Sequence, residues 1–106
     1  MVLGGVVVMG PGRAELLAGI SETGSIAAAG RRMGMSYKRA WQLVETMNAL
    51  FAAPLVDAAK GGAGGGGAAL TPLGREVLAA YERLAEKSAE AGSAELDLLR
   101  SALPTP

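Results

Sequence analysis

The run Ser25-Ile26-Ala27-Ala28-Ala29-Gly30-Arg31-Arg32-Met33-Gly34-Met35-Ser36-Tyr37-Lys38-Arg39-Ala40-Trp41-Gln42-Leu43-Val44 decides how this chain folds. Ser25 suits a helix N-cap, because its side-chain oxygen can accept from an otherwise orphan backbone N–H. The helix it opens is short and Ala-rich, from Ile26 to Met33, with Arg31 and Arg32 in the last turn, where cations complement the helix dipole. Gly34 follows, where a left-handed C-terminal stop is required. Two residues later Ser36 can cap a second helix running through about Phe51. Its apolar residues Ala40, Leu43, Val44, Met47 and Leu50 form one stripe at about 100° per residue. Lys38, Gln42 and Glu45 lie opposite, with Arg39 and Thr46 on one flank and Tyr37 and Trp41 on the other. Two helices joined by a tight glycine turn make a helix-turn-helix unit.

Upstream, Val6-Val7-Val8 reads as one short strand between Gly5 and Gly10-Pro11-Gly12. Arg13 to Glu22 then carries Leu16, Leu17 and Ile20 at helical spacing, and Thr23-Gly24 stops that helix. Downstream, Pro54-Leu55-Val56 starts a strand and Ala68-Ala69-Leu70 returns as another. The glycine run from Gly61 to Gly67 between them is a loop, since bare backbone is entropically costly to hold in helix or sheet. Thr71-Pro72 is a helix start, with Thr as N-cap and Pro at the first helical position. That helix bears Leu73, Val77, Tyr81 and Leu84 on one stripe and runs to about Ala91; after Gly92-Ser93, Ala94 to Leu103 forms a last short helix. The expected fold is mainly α (α+β). It is a winged helix-turn-helix with a short N-terminal strand, a glycine-rich β-hairpin wing and a long C-terminal dimerisation helix. Residues 1–72 are expected to be the DNA-binding domain and 73–106 the dimerisation helix and tail.

The composition narrows the chemistry. With 106 residues there is room for one domain, and with half of them hydrophobic but only 4% aromatic its core is built from small side chains. Such a core leaves little apolar area to spare, so a dimer interface would add stability. There is no Cys and no His, which removes thiolate chemistry, the commonest general base and the commonest metal ligand. No enzymatic activity and no cofactor or metal are expected. The apolar N-terminus lacks a preceding basic residue and a cleavage pattern, and no run reaches the roughly 18 apolar residues of a membrane span, so a cytoplasmic location without a membrane partner is expected. Net charge is zero, but its distribution is uneven. Between Ser25 and Arg75, Arg31, Arg32, Lys38, Arg39, Lys60 and Arg75 face only Glu45 and Asp57; from Glu76 onward acidic residues outnumber basic ones. A basic middle with acidic flanks suits a polyanion-facing surface.

The helix at Ser36 offers donors of the kinds that read base edges: Lys38 or Arg39 toward guanine, Gln42 toward adenine. Helix-turn-helix units touch bases mainly with the first turns of this helix, here Ser36, Tyr37, Lys38 and Arg39. The Ser36 hydroxyl and first-turn N–H groups can also hold a phosphate. The competing reading is an ordinary amphipathic helix with a solvated face. Tyr37 and Trp41 sit at the edge of the apolar stripe and serve either to touch sugar-phosphate or only to brace the helix. Gly62-x-Gly64-x-x-Gly67 formally matches a dinucleotide fingerprint, but that motif needs a βαβ unit, which the order of elements excludes. The loop reads instead as a wing tip whose backbone at Gly64 and Gly65 approaches DNA, or as a merely flexible turn. Candidate DNA contacts are therefore Ser25, Arg31, Arg32, Ser36, Tyr37, Lys38, Arg39, Trp41, Gln42, Lys60, Gly64 and Gly65, with Arg31, Arg32 and Lys60 on phosphates. The stripe of Leu73, Val77, Tyr81 and Leu84 packs on its own domain or on a symmetry mate.

Ser21 to Ala29, Gly34-Met35-Ser36-Tyr37-Lys38-Arg39-Ala40-Trp41, Met47-Asn48 and Gly61 to Thr71 together resemble the N-terminal domain of ModE-type molybdate-dependent transcriptional regulators. The resemblance covers roughly residues 12 to 85; the helix-turn-helix also looks like that of LysR-type regulators, which lack this glycine wing. It implies a homodimeric winged-helix binder of duplex DNA with a palindromic operator. Dimerisation would run through the first and last helices, giving Leu16, Leu73, Val77, Tyr81 and Leu84 as interface residues. The family carries basic residues in the wing near Ala58 and Ala63, where Lys60 is the cation left here. Members that sense molybdate do so through a C-terminal oxyanion-binding domain, for which the chain up to Pro106 has no room, so a separate molybdate-binding protein is the partner such sensing would need. The alternative is a winged-helix protein–protein interaction module with weak or no DNA binding.

Overall fold

The computed structural model describes residues 2–58 and 67–104. The chain opens on a two-stranded antiparallel hairpin, β1 (Val2–Leu3) and β2 (Val6–Val7), with Leu3 opposite Val6. One short strand was expected here. The partner strand exists because Gly4 and Gly5 both adopt positive φ, 58° and 79°, as a two-residue hairpin turn of matching twist demands.

Three helices follow: α1 (Pro11–Thr23), α2 (Ile26–Arg32) and α3 (Tyr37–Leu50). Gly24 ends α1 in the left-handed region, its N–H donating to Ile20 O at 2.8 Å. Ser25 Oγ accepts from Ala28 N–H at 3.1 Å and so caps α2. Gly34, at φ 71°, ends α2 in a double closure in which Gly34 N–H donates to Arg31 O and Met35 N–H to Gly30 O. That pairing is the Schellman motif, and it satisfies two carbonyls the helix end would otherwise leave orphaned. Ser36 Oγ accepts from Arg39 N–H at 3.1 Å and opens α3.

The wing consists of β3 (Val56–Asp57) and β4 (Ala69–Leu70), antiparallel, with Val56 opposite Leu70. Ala68 N–H donates to Gly24 O at 2.8 Å, which ties the returning strand to the α1–α2 turn. α4 (Pro72–Ala91) starts from Thr71, whose hydroxyl oxygen accepts from Gly74 N–H at 2.9 Å, and α5 (Ser93–Ser101) follows it.

Leu16, Leu17 and Ile20 of α1, Ala40, Val44 and Met47 of α3, and Leu55 beside the wing pack into one core with Met9 and Ile26. Leu78 brings the first half of α4 into the same core. Small residues set how closely the helices approach. A Cβ on Gly30 would sit 2.9 Å from Ala40 Cβ, and one on Gly19 would sit 3.0 Å from Ala29 Cβ. Beyond Tyr81 every residue of α4 is exposed, and α5 buries none.

Two expectations are corrected. Leu16 is completely buried in its own core, so it has no surface to present to a second copy. Leu50 is 37% exposed, because at about 100° per residue it has drifted roughly 90° from the direction that Ala40, Val44 and Met47 share.

Candidate nucleic-acid interface

α3 lies with one face on the core, and the other carries the polar residues of its first two turns. Ser36, Tyr37, Lys38, Arg39 and Gln42 are all exposed. Because Ser36 Oγ already accepts from Arg39 N–H, its own O–H is left as a donor. By helix geometry the N–H groups of Tyr37 and Lys38 find no carbonyl inside the helix and point out of its N-terminus. Capped, positively flanked and open, this end of α3 can offer backbone and side-chain donors to phosphate and guanidinium or ammonium groups to base edges.

Tyr37 and Trp41 stack one turn apart, ring centroids 6.4 Å apart and planes 25° from parallel. Tyr37 is 56% exposed, whereas Trp41 is half-buried against the core. Trp41 is thus seated against the core, and the Tyr37 ring stacked with it stands in solvent.

The remaining expected contacts divide. Ser25 is half-buried and caps α2. Arg31 and Arg32 are exposed on α2, but Arg32 Nη1 donates to Glu22 Oε1 and ties α2 to α1. Both partners of that pair are more than half exposed, so it is weak and exchangeable for a phosphate. Lys60, Gly64 and Gly65 lie outside the described residues. Arg75, counted among the basic residues of the middle segment, donates from Nη1 to Leu70 O at 3.0 Å and braces β4.

Asn48 was legible in the sequence only as part of the family resemblance, with no role attached to it. Its Oδ1 accepts from Leu55 N–H at 2.8 Å and Val56 N–H at 3.1 Å, and its Nδ2 donates to Val56 O at 3.1 Å. The one available signal was an Asn in the last turn of a helix, where it is a poor helix former. Among the described residues, no group of His, Cys, Asp and Glu could hold a metal ion, and no helix is long and apolar enough to cross a membrane.

Three packed helices, the second and third joined by a glycine-closed turn and followed by a two-stranded wing, define a winged helix-turn-helix. The chain belongs to the lysR family of bacterial regulatory helix-turn-helix proteins, whose profile matches residues 12–75, through the glycine segment and into α4. It is 54% identical over 88 residues to the molybdenum-pterin-binding protein MopB of Rhodobacter capsulatus, a match covering 83% of this chain and 31% of that protein. Over 75 residues it is 45% identical to the transcriptional regulator ModE of Yersinia pestis, covering 71% of this chain and 28% of the relative. Over 76 residues it is 43% identical to the DNA-binding transcriptional dual regulator ModE of Escherichia coli (strain K12), covering 72% and 29%. The chain thus spans about 30% of the length of these curated relatives. The resemblance to ModE-type regulators holds, and these residues form a helix-turn-helix DNA-binding domain of that type.

Proposed function

We propose that the chain is a sequence-specific transcriptional regulator that binds a palindromic DNA operator as a homodimer, α3 entering the major groove. The observation that carries this is the exposed, Ser36-capped start of α3 with Tyr37, Lys38, Arg39 and Gln42 on its open face. Lys38 and Arg39 read base edges, Gln42 stands beside them, Arg31, Arg32 and Lys60 hold phosphates, and Gly64 and Gly65 contact the DNA. DNA contact belongs to residues 1–72 and self-association to 73–106, the first turns of α4 being shared with the core. The homodimer reading is supported by an open apolar groove of about 310 Å³ between the N-terminal hairpin and α4, lined by Leu3, Met9, Phe51, Val77, Tyr81 and Leu84. The names of the relatives support a place in molybdenum-linked regulation. These residues are assigned DNA reading and not molybdate sensing. The protein acts in the cytoplasm and is not an enzyme.

The deciding experiment is selection of duplexes from a random-sequence library, followed by titration of the selected duplex at several salt concentrations. The reading expects an inverted repeat and a steep loss of affinity with salt, the signature of phosphate contacts. Recovery of no duplex, or affinity indifferent to salt, would overturn it in favour of a protein–protein interaction module.

A further inference from the structure

Asn48 stands about three helical turns beyond the exposed start of α3. Its amide directs both ends to one short stretch of backbone, Leu55 and Val56, at the root of the wing. Val56 has its N–H and its C=O both bonded to this side chain, so the outer edge of β3 is closed by Asn48 while the other edge pairs with β4. The β3–β4 ladder is only two residues per strand, and so short a pair cannot by itself hold a fixed angle to a helix. The same stretch is gripped from the other side. Thr71 N–H donates to Leu55 O at 2.9 Å, Thr71 Oγ1 donates to Pro54 O at 2.7 Å, and Gly74 lies so close that a Cβ there would be 2.1 Å from Leu55 O. Pro54 to Val56 is thus clamped between the end of α3 and the start of α4.

We propose that Asn48 is the positioning residue that fixes the wing relative to α3, so that helix and wing engage one duplex together although Asn48 touches no DNA. This rests on the DNA-binding reading above. A merely structural Asn48 would alter the folded fraction and leave the manner of binding unchanged. A positioning Asn48 changes how the DNA is gripped.

Two measurements on Asn48→Ala test it. In the free protein, hydrogen exchange at the Leu55 and Val56 amides should rise at least tenfold, while the amides from Ala40 to Val44 keep their rates. On the duplex selected by the wild-type chain, affinity should fall about tenfold and the salt slope should lessen by roughly one phosphate contact. Hydroxyl-radical protection should be lost at the wing-facing flanks and kept over the centre of each half-site. Asn48→Asp keeps the acceptor toward Leu55 and Val56 but loses the donor toward Val56 O, and should show the same changes at smaller size. It carries both measurements if Asn48→Ala does not melt cooperatively. Wild-type exchange at Leu55 and Val56, or a wild-type footprint and salt slope in a folded variant, would overturn the proposal. If the wild-type chain selects no duplex, the DNA-binding reading falls with the DNA half of this proposal. Hydrogen exchange, which needs no DNA, still decides whether Asn48 holds the wing.

Discussion

Lys38, Arg39 and Ser36 occupy neighbouring places but do different physical work. A side chain that donates to a base edge contributes discrimination, so Lys38→Ala should cost roughly 1–3 kcal/mol on the selected duplex and relax preference at one position. A competition assay across single-base variants of that duplex checks this, and equal affinity for all of them before and after substitution would exclude base reading by Lys38. Ser36→Ala acts earlier in the chain of causes. It removes the acceptor for Arg39 N–H and should lower stability by about 1 kcal/mol in denaturant melts, with a matching loosening of the first turn of α3. Ser25, Ser36 and Thr71 were all legible as caps, because capping depends on a side chain and backbone only three residues away. Asn48 was not, because its partners Leu55 and Val56 come from a segment that only the returning chain brings near.

Among the elements, the α2–turn–α3 unit rests on two glycines with separate reasons. Gly34 is needed for its φ of 71°, and Gly34→Ala should cost about 1–2 kcal/mol for a left-handed L-residue. Gly30 is needed for space, since a Cβ would meet Ala40 Cβ at 2.9 Å. Gly30→Ala should therefore cost about 1–3 kcal/mol through overpacking, and Gly30→Ala with Ala40→Gly should recover part of it. Chemical denaturation of the single and double variants separates the two causes: no recovery in the double variant would mean that the α2–α3 approach is not what Gly30 protects. The first cause was readable from a helix run ending at Gly34, whereas the second needed the crossing of α2 and α3. Leu50 teaches the same at the end of α3, where it is apolar in sequence but lies to one side of the buried line through Ala40, Val44 and Met47.

For the whole molecule, the radius of gyration is 16.1 Å, against about 13 Å for a compact chain of this length. Toward the C-terminal end Leu84 of α4, Leu98 and Leu99 of α5 and Leu103 just after it are 49–69% exposed. The homodimer reading expects these residues to be covered by a second copy. Leu84→Glu should shift the sedimentation equilibrium toward monomer and reduce affinity for the full palindrome by at least tenfold, with little change on an isolated half-site. A protein that sediments as a monomer before substitution would end that reading. Leu16→Ala, in contrast, should lower stability by about 2–5 kcal/mol through a core cavity, since Leu16 is wholly inside.

The sequence by itself determined the order of elements, the helix caps, the turn at Gly34 and the polar face of α3, because each depends on residues within about one helical turn of one another. It also pointed to the family, through the motif at Ser36 to Trp41 and the glycine segment. Only the tertiary structure decided that Leu16 faces inward, that Gly4 and Gly5 fold the N-terminus back as a hairpin, and that Arg32 and Arg75 have protein partners. The same holds for Asn48 at the root of the wing. Periodicity says which face of a helix is apolar, but not which neighbour covers it; that follows from packing between segments far apart in the chain.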